Sequence, residues 1–201
     1  ANSAPDVTFE AMAGHFDGGD GIDMVQVGER LYILDPNGNK ILGFNRMPAM
    51  SGAKPDFTVG ARQSNADTLA DHFLQTNPEP ATDGQGLFSI SSYDKTLYVW
   101  KQRPDQSASA PDYIYHFGEQ PRDIAVSGNR LVVAGLMHNI FVWDSLPMEG
   151  EAPSRVIHGQ LGSVRLKGIE SIAMDARFFY LLDRDGNGEI TPTEVLAMAY
   201  R

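Results

Sequence analysis

The chain of 201 residues has no cysteine, which removes disulfides, thiolate zinc sites and a cysteine nucleophile at one stroke. It also lacks a long hydrophobic run. The longest apolar stretch, from Leu131 to Met137, falls far short of the ~20 residues that a membrane helix needs. Basic side chains are scarce, 16 against 26 acidic ones for a formal charge of −10. No face can therefore neutralise a row of phosphates, which argues against nucleic acid and leaves cations or neutral ligands as partners. Helical periodicity is nearly missing too, being confined to residues 66–74 and to the C-terminal segment. Glycine and proline, by contrast, are plentiful at 20 and 12, a turn-rich bias in a chain long enough for one domain.

What the chain does contain is a repeat. Leu31 to Asp35, the turn Pro36-Asn37-Gly38-Asn39 and Lys40 to Phe44 read as strand, turn and strand. The pattern recurs at Leu87 to Ser91 with Thr96 to Trp100, at Leu131 to Gly135 with Ile140 to Trp143, and at Phe179 to Asp183 with Gly188 to Ile190. A short strand precedes each hairpin, at Asp23 to Val27, Pro80 to Thr82, Asp123 to Val126 and Ser171 to Met174. After three of the hairpins a fourth strand opens on a proline, at Pro55-Asp56-Phe57, Pro111-Asp112-Tyr113 and Pro153-Ser154-Arg155. The units are thus predicted as four-stranded antiparallel blades over roughly 21–60, 78–118, 120–159 and 168–190, with an N-terminal strand at 5–10 completing the last one. Such blades cannot bury both faces alone and stack radially, so the expectation is all-β: a single propeller domain over residues 1–201.

The unit grammar of hydrophobic hairpin, aromatic residue, proline, spacer, Pro-Asp and closing glycine resembles the bacterial NHL-repeat propellers. It is clearest in Trp100, Pro104, Pro111-Asp112 and Gly118. The resemblance implies the fold and leaves function open, because propellers host lyases, lactonases, sugar binders and interaction platforms alike. Four units imply closure within one chain, a homodimer that completes a larger ring, or a fragment of a larger propeller.

One stretch carries metal chemistry. Asp183, Asp185, Asn187, Gly188, Glu189, Ile190, Thr191 and Glu194 fall at the diagnostic places of a twelve-residue EF-hand-like calcium loop. Asp183, Asp185 and Asn187 would offer side-chain oxygens, Glu189 its carbonyl, Thr191 a direct or water-mediated contact, and Glu194 a bidentate carboxylate around Ca²⁺. Thr191-Pro192-Thr193-Glu194 is also a capping box, which predicts a short C-terminal helix over Val195 to Tyr200 within the loop-and-helix segment 183–201. The competing reading is a bare Asn-Gly turn like the one at Pro36 to Asn39. Similar calcium loops sit in the hairpins of integrin α propellers.

Other chemistry is thinner. His15, His72, His116, His138 and His158 fall in or beside the loops, where three imidazoles would suit a catalytic zinc and solvated loop side chains are the ordinary alternative. Asp23, Asp123 and Glu170 fall near the channel mouth, either for a cation or substrate hydroxyl or to hold neighbouring blades in register. Phe44, Trp100 and Trp143 share one repeat position and read as packing between blades. No Gly-x-Ser-x-Gly, His-Glu-x-x-His or Gly-rich phosphate loop occurs. The function expected is a calcium-binding, non-enzymatic module for a protein or small-molecule ligand on the loop face, with no membrane partner. The alternative is a metal-dependent lyase or lactonase working at the channel. The Ala1-Asn2-Ser3-Ala4 opening reads as a processed start, hence a periplasmic or extracellular protein.

Overall fold

In the second strand of the first unit, Leu31 and Ile33 alternate with Tyr32 and Leu34, so both faces are apolar. Such a strand is stable only where its sheet is covered on both sides. The computed structural model describes residues 5–8, 22–36, 38–60, 79–107, 109–147, 151–183 and 195–199, and it resolves this demand with stacked sheets. The first sheet runs β1 (Asp23–Val27), β2 (Arg30–Asp35), β3 (Lys40–Phe44) and β4 (Phe57–Gly60), and the second β5 (Glu79–Ala81), β6 (Leu87–Ser91), β7 (Thr96–Trp100) and β8 (Tyr113–His116). The third holds β9 (Pro121–Ser127), β10 (Arg130–Gly135), β11 (Asn139–Trp143) and β12 (Arg155–His158). A small hairpin of β13 (Gln160–Leu161) and β14 (Val164–Arg165) leads to the last sheet, β15 (Ile169–Met174), β16 (Phe178–Asp183) and β17 (Val195–Ala199). Each of these sheets pairs its strands antiparallel in chain order.

The seams between sheets form the core. Tyr32, Leu34, Ile41 and Val59 of the first sheet meet Leu87, Tyr98 and Trp100 of the second. Phe88, Ile90, Leu97 and Val99 on the second sheet's other face meet Leu131, Val133, Phe141 and Trp143. Val132, Ala134, Ile140 and Val142 in turn meet Ile169, Ile172, Phe179 and Leu181. At the aromatic repeat position Trp100 and Trp143 pack into these seams and also fasten the long loop that follows each, whereas Phe44 packs with Leu31, Ile33 and Leu42 of its own blade. Trp100 Nε1 donates to the Ser109 carbonyl and Trp143 Nε1 to that of Glu151, both at 3.1 Å.

The residue after the strand-opening proline has a structural task. Asp56 Oδ2 accepts the Asn45 N–H at 2.7 Å, and Asp112 Oδ2 accepts the Lys101 N–H at 2.8 Å, clamping the exit of the third strand to the entry of the fourth. Ser154 departs from the Pro-Asp pattern but does the same work, its Oγ accepting the Asp144 N–H at 3.1 Å.

One expectation is corrected at the C-terminal end of the chain. Val195–Ala199 forms no helix; it pairs antiparallel with β16, with Leu182 opposite Val195 and Phe178 opposite Ala199. A helix this short is marginal in water, whatever its cap, whereas the same residues complete the last sheet as its third strand. Glu189 and Ile190, expected in that place, lie outside the described residues, as does the segment 66–74. At the other end only residues 5–8 of the expected strand 5–10 are described, and they join none of the described sheets. Thr8 instead donates its N–H to Ser51 Oγ at 2.9 Å and accepts the Gly52 N–H at 3.2 Å. One seam along, Thr58 donates its N–H to Ser107 Oγ at 3.2 Å. Thr8 thus meets the β3–β4 connection of the first blade as Thr58 meets the β7–β8 connection of the second.

Candidate functional site

The inner strands β1, β5, β9 and β15 lie side by side in that order. Asp23 is opposite Leu34, Glu79 opposite Ile90, Asp123 opposite Ala134 and Ser171 opposite Leu182. Each partner stands three residues beyond Leu31, Leu87, Leu131 or Phe179, the same repeat position. Asp23, Glu79, Asp123 and Ser171 therefore occupy one tier where the inner strands begin.

Within that tier a carboxylate ties one blade to the next. Asp123 Oδ1 accepts the Ile124 N–H at 2.7 Å, while Oδ2 accepts the Ser171 hydroxyl at 2.7 Å and the Ile172 N–H at 2.6 Å across the seam. Asp23 Oδ1 likewise accepts the N–H of the next residue, Met24, at 2.6 Å. Across its own seam, however, stand Glu79 and Pro80. Proline has no N–H to give, so Glu79 supplies the link with its carboxyl group, hydrogen-bonded to Asp23. Burial, then that hydrogen bond and the charges of Asp23 and Asp123, push the Glu79 carboxyl up to about 9, opposed by Arg122. Glu79 thus holds a proton that it donates to Asp23, as the Ser171 hydroxyl donates to Asp123. Burial also raises the Asp123 carboxyl, against the hydrogen bonds that favour its charge. Arg122 is engaged by Glu170, Nη2 to Oε2 at 2.5 Å.

Of the acids read from the sequence, Asp23 and Asp123 stand in the tier. Glu170 stands beside it, because an irregularity in register between Ile169 and Ser171 brings Ser171 to the equivalent place. Glu79 went unseen because its strand is short and interrupted by Pro80; counting three residues on from Leu87 to Ile90, then across to the partner, is the signal that finds it.

The other candidates that lie among the described residues stand apart from the tier. Asp183 is buried at the end of β16, and its Oδ1 accepts the Lys167 and Gly168 N–H groups, each at 2.8 Å. It occupies the repeat position of Asp35, also buried, which accepts the Gly38 N–H in the first turn at 3.4 Å. Asp185, Asn187, Glu189, Thr191 and Glu194 lie outside the described residues, as do His15 and His72. His116 Nδ1 meets Thr96 Oγ1 at 3.1 Å, and His158 Nδ1 meets Asn139 Oδ1 at 2.9 Å. Among the described residues no three His, Asp or Glu side chains come together as a metal site.

The hairpin turns share the end of the molecule where the tier lies. Ser92 Oγ donates to the Pro121 carbonyl at 2.5 Å and the Leu136 N–H to that of Gln120 at 2.8 Å. Glu119, buried, accepts the Met137 N–H and the Asn139 Nδ2, both at 2.5 Å. Position 135 must be glycine for this, since a Cβ there would lie 2.5 Å from the Glu119 carboxyl. The anchored turns hold large apolar side chains in water, with Tyr93 49%, Leu136 47% and Met137 70% exposed.

The tier has a testable pH signature. A carboxyl whose proton is held more tightly in the folded state stabilises fully below its ordinary pKa, and that contribution is lost as pH rises to the folded value. Stability is therefore expected to fall between about pH 4.5 and pH 9. Glu79→Gln keeps a donor for Asp23 and removes the titration, so its denaturant midpoint is expected to change less over that range and to exceed the wild type at pH 8. Identical slopes in the two proteins would remove the proton from the account.

The chain matches no family model and no curated protein sequence. Solved structures do resemble it. The computationally designed Ika4 protein superposes with a TM-score of 0.58 at 13% identity, covering 98% of this chain and 99% of that one. The WD40 repeats of RRP9 give 0.60 at 12% identity, over 92% of this chain and 53% of theirs. A chain of the mitotic checkpoint complex gives 0.55 at 15% identity, over 88% and 48%. This chain spans about half the length of the natural propellers it matches there. At such identities the likeness concerns fold alone, and with the stacked antiparallel sheets it identifies the architecture as a β-propeller.

Proposed function

We propose that the chain is a non-enzymatic, protein-binding propeller module that docks its partner on the end carrying the hairpin turns and the acidic tier. The observation that carries this reading is the exposure of Tyr93, Leu136 and Met137 on turns held rigid from beneath. Apolar side chains on preordered loops gain from burial without a large ordering cost, and methionine adapts to an irregular partner. The acids of the tier beside these turns favour a partner with a cationic side chain near its apolar contact. Propellers related in fold belong to assemblies, as in the mitotic checkpoint complex.

The test is a comparison of proteins retained by the immobilised wild type and by a Leu136→Asp, Met137→Asp double variant with unchanged melting temperature. A partner held by the wild type and lost by the variant is the expected outcome. The same proteins on both, or none on the wild type, would contradict it.

The reading extends to an NHL-type repeat grammar, export from the cell and a calcium clamp in the connection between β16 and β17. The support for calcium is the spacing of Asp183, Asp185, Asn187, Glu189, Thr191 and Glu194, with one carboxylate oxygen of Asp183 taken by backbone amides and its second suited to a cation. An ion bound only to the folded state stabilises by about 2.7 kcal/mol at a hundredfold excess over Kd, so millimolar calcium is expected to raise the melting temperature by roughly 5–10 °C. An Asp185→Asn, Glu194→Gln variant leaves the Asp183 hydrogen bonds intact and is expected to lose the shift. No shift in the chelator-treated wild type, or an equal one in the variant, would leave the segment a plain turn.

A further inference from the structure

The repeats allow one seam to be read against another. At the end of the molecule away from the hairpin turns, a groove of about 350 Å³ opens between the first and second blades, lined by Arg30, Gly84, Gln85, Gln102, Arg103 and Asp105. Its counterpart on the third blade, of about 340 Å³, contains Gly128, Arg130 and Asp144. Arg30 and Arg130 hold the same repeat position, one residue before Leu31 and Leu131, and follow the equivalent glycines Gly28 and Gly128, with φ of 64° and 57°.

The two grooves differ in charge. Arg130 shares its groove with Asp144, the residue after Trp143. The first blade has Asn45 in that place, after Phe44, and the second blade adds Arg103 where the third has Leu146. The first groove therefore gathers two guanidinium groups against the single carboxylate of Asp105, in a chain whose net charge is −10. Among the described residues no carboxylate lies within ion-pair distance of Arg30 or Arg103.

Both arginines are set in place by the backbone. Arg30 Nη1 reaches the Pro104 carbonyl at 3.4 Å, and that carbonyl also accepts the buried Tyr32 hydroxyl at 2.7 Å. The Arg103 N–H is fixed by the Gln85 carbonyl at 2.9 Å. Its guanidinium lies over Gly28, where a Cβ would come within 2.8 Å of Nη1. Guanidinium groups side by side repel each other, and an oxyanion between them converts that repulsion into charge-assisted, bidentate hydrogen bonds.

We propose that the groove between the first and second blades binds an oxyanion, a carboxylate or a phosphate group, between Arg30 and Arg103, with the side-chain amides of Gln85 and Gln102 as further donors. The site faces away from the docking end and stands independently of it. Asp105 and the overall negative charge keep the affinity for a free ion weak, on the millimolar scale, so that an anionic group carried by a larger ligand is the natural occupant.

Titration of the ¹⁵N-labelled chain, read at the Arg Nε–H and Gln side-chain amide signals, tests this with inorganic phosphate in one arm, acetate in another and chloride as the ionic-strength control. Saturable shifts at Arg30 and Arg103 are expected, and the arm that saturates at lower concentration names the source. Arg103→Gln, at an exposed position, is expected to weaken binding at least tenfold, Asp105→Asn to tighten it severalfold, and Arg130→Gln to leave it unchanged. Shifts that stay linear and match those with chloride would overturn the proposal. So would undiminished binding in Arg103→Gln, or an equal loss in Arg130→Gln.

Discussion

The first three blades of this protein are apolar on both faces, and none of them is stable until both are covered. Tyr32 and Leu34 look into one seam while Leu31 and Ile33 look the other way, and all four are nearly inaccessible to water. On that far face Leu31, Ile33, Leu42 and Phe44 form a cluster drawn from the first blade alone, yet each is only 2–3% exposed. Burying four such side chains is worth about 6–12 kcal/mol, comparable to the whole margin of about 5–15 kcal/mol by which domains stay folded. The cover over that face is thus as necessary as any seam.

Polar groups then decide how the seams are aligned. Asp123 reaches across to Ser171 and Ile172, and Ser92 and Glu119 fasten the second- and third-blade turns. At the seam between the first two blades Pro80 removes the amide that the repeat would use, and a retained proton on Glu79 stands in for it. The same economy appears on the outer strands, where Ser154 substitutes a hydroxyl for the carboxylates of Asp56 and Asp112. The blades differ in what they present to solvent: apolar residues at turns 93 and 136–137, and Arg103 beside Arg30 in the groove between the first two blades.

The strands of the first three blades were legible because the period-two alternation at Leu31–Leu34, Leu87–Ile90 and Leu131–Ala134 reports directly on burial at two faces. The C-terminal strand was not. The capping box at Thr191 to Glu194 is a genuine local helix signal, but Val195–Ala199 gains more by hydrogen-bonding to the edge of β16 than six residues gain from a cap. In the tier, Asp23 and Asp123 could be read because they open clear strands, whereas Glu79 and Ser171 needed the register across to Ile90 and Leu182. The groove at Arg30 was hidden for another reason: its second arginine comes from a loop 73 positions further along the chain, and no local spacing brings Arg30 and Arg103 together.

The N-terminal segment reaches the first blade through Thr8, which meets Ser51 and Gly52 in the connection between β3 and β4. Thr8 Oγ1 stands 3.0 Å from Ser51 Oγ, and a chain without cysteine gives an unambiguous background for a disulfide between these positions. Oxidation of a Thr8→Cys, Ser51→Cys variant, followed by size-exclusion chromatography and melting, tests whether this contact is made within one chain. The expected result is a disulfide within one chain, a monomeric elution volume and a melting temperature above that of the reduced form. Free thiols after oxidation, or a disulfide found only between two chains, would contradict it.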